Sequence, residues 1–116
     1  MEETVRIGNK EIVMRANANT PRKYRETFNR DLISEFATLL KHIDKTGALK
    51  GDFDFSIIEN LAYIMAKQHD NSIGSIDDFL EQFEGIDDIY LAMGDIVGLW
   101  EKSKQAMSEP KKNIGQ

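Results

Sequence analysis

The dipeptide Thr20-Pro21 separates two hydrophobic patterns in this chain. Before it, apolar and polar side chains alternate, which is the period of a β-strand. After it, apolar side chains recur at steps of three and four, which is the period of an amphipathic α-helix. Threonine is a good N-cap and proline is tolerated at the first helical position, so the pair predicts a helix start. We therefore predict a mainly α fold, a small helical domain of about four helices with an N-terminal β-hairpin.

The hairpin is predicted over residues 4–15. Gly8-Asn9 forms a two-residue loop with glycine first, which suits a type II′ turn and pairs Val5 with Ile12. A hairpin alone is marginal in water, so we expect it to dock on the helices or to pair with another chain. Its apolar face has four members: Val5, Ile7, Ile12 and Met14.

The helical spacing indicates a single domain over residues 1–107 and a flexible tail over 108–116. The helices are predicted at about residues 21–46, 55–69, 76–84 and 86–106. Asp54 is the expected N-cap of the second, and Ser75 with Asp78 resembles a capping box for the third. Gly94 and Gly98 each lower the stability of the last helix by about 1 kcal/mol relative to alanine. Two glycines four residues apart either admit a neighbouring helix or mark loose packing.

Composition narrows the class of protein. The chain has 116 residues, which fits one domain, and no cysteine, which excludes a disulfide scaffold, a thiolate metal site and a cysteine nucleophile. No apolar run approaches the roughly 20 residues that span a bilayer, and the N-terminus lacks the apolar region of a secretory signal. We expect a cytoplasmic protein that does not enter membranes.

The charge is unevenly distributed along the chain. Residues 1–30 carry seven Lys/Arg against four Glu, whereas residues 52–101 carry twelve Asp/Glu against Lys67 alone. Such polarity either attracts a basic partner or a second copy, or simply keeps a small domain in solution. The candidate partner-binding residues are Arg15, Arg22, Lys23, Arg25, Arg30, Asp77, Asp78, Asp87 and Asp88.

The basic group also suggests nucleic acid as a partner. Tyr24 and Phe28 interleave with it, but their spacing of four places both on the buried face of a helix. The acidic composition is atypical of nucleic-acid binders, so we expect no such binding. The paired aspartates are not preset for acid/base chemistry, because adjacent helical residues point about 100° apart. Both pairs lie near predicted helix starts, where negative charge is favourable.

The chain has no sequence signature of a metal site or of a catalytic site. His42 and His69 lie on different predicted helices, and without cysteine they do not complete a zinc site. Residues 52–56, DFDFS, resemble the start of a calcium loop, but Ile57 stands where glycine is needed and Tyr63 where glutamate is needed. No glycine-rich phosphate loop is present. We expect a protein that is not an enzyme and needs no cofactor.

Four segments resemble one protein family. TPRKYRETFNRDL resembles the tail assembly chaperones of long-tailed bacteriophages, in the branch of phages and prophages of Gram-positive bacteria. The central helix FSIIENLAYIMAKQ, the short acidic helix SIDDFLEQF and the closing segment IYLAMGDIVGLW fit the same family. The resemblance covers roughly residues 12–113. The sequence departs from the family's pattern near residues 92–94.

The resemblance implies a non-catalytic role in virion assembly, in the cytoplasm of the bacterial host. Such chaperones bind the tape measure protein, keep it soluble and help to recruit tail tube subunits. It also implies a possible ribosomal frameshift: Lys111-Lys112-Asn113 can be encoded by a slippery run of adenines, although a basic tail needs none. We expect weak homo-oligomers. The alternatives are a small nucleic-acid-binding regulator or adaptor, which would use the basic start of the first helix, and an enzyme subunit or effector-binding domain.

Overall fold

The computed structural model describes the backbone of residues 1–114 and the side chains of residues 1–104. Over these residues it has a two-stranded antiparallel sheet and six helices. The elements are β1 (Glu2–Ile7), β2 (Lys10–Arg15), α1 (Thr20–Phe28), α2 (Leu32–Lys41), α3 (Ser56–His69), α4 (Ile76–Glu81), α5 (Asp88–Leu91) and α6 (Met93–Ile114). A helical domain with an N-terminal hairpin is thus confirmed. The count of four helices was wrong, because two of the predicted helices are interrupted.

The hairpin has the predicted register, with Val5 opposite Ile12. Gly8 has a φ of 62°, a conformation in which glycine avoids the strain of a side chain. The apolar face docks on the helices: β2 packs against α3, and β1 packs against α5 and α6. Val5 and Met14 are buried there. This docking supplies the partner that an isolated hairpin lacks.

The first predicted helix is broken into α1 and α2. Asn29 adopts the left-handed conformation with a φ of 55°, and asparagine tolerates this conformation better than most residues. Asp31, at the N-cap of α2, has extended backbone and accepts a hydrogen bond from the Ser34 hydroxyl at 2.6 Å. The continuous helix over 21–46 was therefore wrong, because the apolar spacing continues across a turn that the backbone does not follow as a helix.

The last predicted helix is also interrupted. Residues 88–91 form α5, Ala92 lies between, and α6 begins at Met93. Ile86, the first residue of the predicted helix, precedes α5 and is fully exposed, at 101%. The predicted end at 106 was wrong, since α6 continues to Ile114, through Pro110. The predicted tail is therefore helical in its backbone to residue 114, and residues 115–116 lie outside the described part.

The core is arranged around α3. This helix packs against β2 and the five other helices, and its predicted apolar face is buried. Asp54 accepts the Ser56 N–H at 3.0 Å, but Phe55 occupies the N-cap position, one residue later than predicted. The capping box of Ser75 and Asp78 is confirmed at the start of α4. Among the described residues, no helix is long and apolar enough to cross a membrane.

Gly94 and Gly98 do not bring a neighbouring helix close. Among the described residues, a β-carbon at either position would meet no heavy atom outside its own stretch of helix backbone within 4 Å. We expect Gly98→Ala to raise the free energy of unfolding by about 0.5–1 kcal/mol, because it removes the backbone entropy cost of a glycine inside α6. Urea denaturation followed by circular dichroism measures this change. Gly51→Ala is the control and should destabilise, since Gly51 has a φ of 83° and its β-carbon would lie 3.0 Å from His42. A destabilising Gly98→Ala would contradict the open packing.

Tyr90 ties α5 to α3 through a 2.8 Å hydrogen bond from its hydroxyl to Glu59. Burial and this bond raise the pKa of Tyr90 to about 12, from 10.0. The resulting stabilisation is complete below the unfolded pKa and is lost as the pH rises through the folded pKa. We therefore expect Tyr90→Phe to lose less unfolding free energy between about pH 9 and about pH 11 than the parent protein. Urea titrations of both proteins at both pH values test this. Equal losses of unfolding free energy in the variant and in the parent would contradict it.

Candidate functional site

A polar cleft of about 400 Å³ lies between the β2–α1 connection, α1 and the C-terminal half of α3. We call it the cationic cleft. Its floor includes Ile64, which is buried, and the remaining lining is polar or charged. The residues that determine its chemistry are Arg15, Asn17, Lys23, Glu26, Lys67 and Gln68. Three cations against one carboxylate make it suited to an acidic group.

The buried hydroxyl of Thr20 links the segments that form one end of the cleft. Thr20 is fully buried and accepts the Asn17 N–H at 2.9 Å while it donates to the Gln68 side chain at 2.5 Å. The amide of Gln68 in turn donates to the Asn17 side chain at 3.2 Å. The predicted helix start at Thr20 is therefore also the joint between the hairpin and α3.

Arg15 is fixed by an acidic partner at the rim. Its guanidinium lies 2.6 Å from the Glu2 carboxylate, which also contacts His69 at 3.2 Å. The hydrogen bond from Arg15, with a smaller contribution from His69, holds the pKa of the Glu2 carboxyl below its usual value. Arg15 also donates to the backbone carbonyl of Gln68 at 3.4 Å. Much of the positive charge of Arg15 is thus balanced by a carboxylate of the same chain.

Lys67 differs from Arg15, because no carboxylate of the described residues lies within 4.0 Å of its ammonium. It donates instead to two neutral oxygens, the Tyr63 hydroxyl at 3.2 Å and the Gly74 carbonyl at 3.4 Å. These bonds hold the ammonium at the cleft wall without neutralising it. Lys67 is therefore the cation with most to gain from an acidic ligand.

Of the other predicted basic residues, Arg22, Lys23 and Arg25 are exposed and Arg30 is partly buried. Arg22 and Lys23 share the Glu26 carboxylate, at 3.3 and 3.6 Å, and Arg25 is exposed on α1. Arg30 binds the Glu35 carboxylate and lies 3.7 Å from Asp54, so it braces the turn between α1 and α2.

The same Glu35 accepts the Tyr24 hydroxyl at 2.7 Å. Burial, followed by this hydrogen bond, raises the pKa of Tyr24 far above its usual value. Tyr24 is fully buried, so its ring is not available to stack on a base. The expectation that it belongs to the core is confirmed.

The two acidic pairs lie at helix starts, as predicted. Asp78 completes the capping box of α4, and Asp88 accepts the Gly85 N–H at 3.0 Å ahead of α5. Asp77 and Asp87 are exposed. None of these four carboxylates lines the cationic cleft, so the predicted basic and acidic residues do not form one site.

A second surface feature lies on α2, which is apolar on two faces. One face packs in the core through Leu32, Phe36 and Leu39. The other faces solvent and consists of Ile33, Ala37 and Leu40, spaced four and three residues apart. Ile33 is 58% exposed and Leu40 45% exposed. We call these three residues the α2 stripe, which was not recognised from the sequence.

Comparisons with protein-family models, with curated proteins and with solved structures find no match to this chain. Within the described residues, no group of three or more His, Asp and Glu is placed to hold a metal ion. The two histidines are at helix ends: His42 stacks on Phe53 with ring centroids 4.7 Å apart, and His69 closes α3.

Sequence reasoning identified Arg15 and Lys23 but missed Lys67 and Gln68. The cleft draws on segments about 50 positions apart, and no local pattern joins them. One signal was available: Lys67 is the single Lys or Arg among residues 52–101.

We expect Thr20→Val to lower the free energy of unfolding by about 1–3 kcal/mol. The substitution keeps the shape of the side chain but leaves the Asn17 N–H and the Gln68 side-chain oxygen without the Thr20 hydroxyl as a partner. Urea denaturation is the measurement. The matched control is Thr38→Val, whose hydroxyl makes one exposed bond to the Ser34 carbonyl and should change stability little. Equal effects of the two variants would show that the Thr20 joint is not a structural requirement.

Proposed function

We propose that this protein is a tail assembly chaperone of a long-tailed bacteriophage or prophage. In this role it binds the tape measure protein, keeps it soluble and helps to recruit tail tube subunits in the cytoplasm of the bacterial host, without catalysis. The proposal rests on the resemblance of four sequence segments to that family and on one observation in the structure, the α2 stripe.

The α2 stripe supports the proposal because it is the surface that a helical client requires. Ile33, Ala37 and Leu40 follow the spacing of positions i, i+4 and i+7, which is how one helix presents an apolar row to another. Exposed apolar rows on small domains commonly mark binding surfaces. A row of three side chains is small, so the contact is expected to be weak enough to release the client.

The net charge of −5 supports the same role. A net charge of one sign makes copies of a protein repel each other, so the protein stays in solution although part of its surface is apolar. The same repulsion keeps a complex with a bound client in solution. A chaperone of this kind covers the client's apolar helix with the stripe and carries its charge into the complex.

Co-expression with the tape measure protein of the same phage genome tests the proposal. We expect the two to co-purify and the soluble fraction of the tape measure protein to rise. The double variant Ile33→Ser/Leu40→Ser should lose most of this effect, because it removes the apolar row without touching the core.

The matched control is Ile86→Ser/Leu91→Ser, which removes two other exposed apolar side chains and should leave the effect intact. Absence of co-purification with the parent protein would refute the proposed function. Equal loss in both double variants would refute the role of the stripe.

Nucleic-acid binding through α1 is the alternative function. Arg22, Lys23 and Arg25 are exposed and favour it, but Glu26 shares the first two and Tyr24 is buried. These observations give the alternative less support. A gel shift that weakens steeply with salt and is lost in Arg22→Ala/Arg25→Ala would favour it over the chaperone.

A further inference from the structure

The connection between α4 and α5 forms an acidic projection. We call residues 84–87 the acidic tip. Glu84 and Asp87 are exposed, and their carboxylates accept no hydrogen bond from the described residues. Between them Ile86 is exposed at 101%. The Asp88 carboxylate accepts the Gly85 N–H at 3.0 Å and so fixes the shape of the tip before any partner arrives.

The chemistry of the tip is complementary to that of the cationic cleft. The tip offers two unpaired carboxylates around one apolar side chain. The cleft offers Lys67 and Lys23 on its walls and Ile64 on its floor. Opposite charges on two surfaces attract them and set their register.

The tip cannot reach the cleft of its own molecule. Asp88 lies against the hairpin turn, where a β-carbon on Gly8 would be 2.5 Å from its carboxylate. The cleft includes Arg15, at the opposite end of the hairpin from that turn. Six residues of strand separate the two ends by about 20 Å. An acidic tip in the cleft must therefore come from another molecule.

We propose that the acidic tip of one copy binds the cationic cleft of a second copy, so that the protein associates head to tail. The two surfaces are different, so the contact is heterologous and leaves a free tip and a free cleft at the ends. Four residues in a cleft of this size bury far less than the roughly 1,200 Å² of a stable interface, so the association is weak and concentration-dependent. This inference needs no client and stands apart from the proposed function.

Sedimentation velocity on the purified full-length protein tests the proposal. At high concentration and low salt the parent protein should form dimers and larger species, and salt should disperse them. The direction of the salt effect is informative: every copy carries −5, so association driven by Ile86 alone would strengthen as salt screens the mutual repulsion. Association that grows with salt, or a parent protein that stays monomeric, overturns the proposal.

Charge reversal locates the contact. The tip variant Glu84→Lys/Asp87→Lys and the cleft variant Lys23→Glu/Lys67→Glu should each associate at least about tenfold more weakly than the parent. A chain with all four reversals again pairs opposite charges and should regain association. Thermal melts establish that each variant is folded. If Lys67→Glu unfolds the chain, Lys23→Glu alone serves as the cleft variant, because Lys23 is exposed.

Mixing the two variants tests the head-to-tail geometry. The tip variant keeps its cationic cleft, the cleft variant keeps its acidic tip, and the two reversed surfaces are again opposite in charge. An equimolar mixture should therefore regain the association that each variant alone has lost. A mixture that stays monomeric overturns the proposal.

The charge-matched controls are Asp52→Lys/Asp77→Lys and Lys41→Glu/Lys45→Glu. They change the net charge by the same amounts away from both surfaces, and they should associate like the parent. Equal weakening in the controls and in the tip and cleft variants overturns the assignment of these two surfaces.

Discussion

The central helix α3 contacts β2 and all the other described helices, so each of them must present an apolar face to it. Nine of its 14 residues are buried. The five large buried side chains of this helix other than Tyr63, at about 2 kcal/mol each, contribute on the order of 10 kcal/mol of burial before entropy is counted. This is comparable with the whole net stability of a typical domain. The hairpin, the paired helices α1 and α2 and the C-terminal helices are therefore held in place chiefly by what they share with α3.

The parts of the fold that local chemistry determines were predictable. A two-residue loop fixed the hairpin register, and an uninterrupted apolar face fixed α3. The breaks at Asn29 and Ala92 were not recognised, because apolar spacing reports which side chains face the core, not whether the backbone between them is one helix. The sequence did contain a sign of the first break: Asn29 favours a left-handed turn and Asp31 favours an N-cap.

The candidate site was predictable only in part, because it depends on tertiary contacts. The sequence indicated a cluster of basic residues, but in the structure these residues make different contacts. Arg30 braces a turn, Arg15 is matched by Glu2, and Lys23 lines a cleft whose other wall comes from α3. Likewise the α2 stripe lies on a helix whose adjacent face is in the core, and only the structure distinguishes the two faces.

The Asp88 carboxylate lies beside two glycines, Gly8 of the hairpin turn and Gly85 of the acidic tip. A β-carbon at either glycine would meet this carboxylate and displace it, and the displaced group would release the Gly85 N–H. The residues at positions 8, 85 and 88 therefore constrain one another, although position 8 is far from the other two in the sequence. We expect related sequences that keep the aspartate to keep both glycines, and sequences that lose it to be free to replace Gly85, whereas the positive φ of Gly8 still favours glycine there.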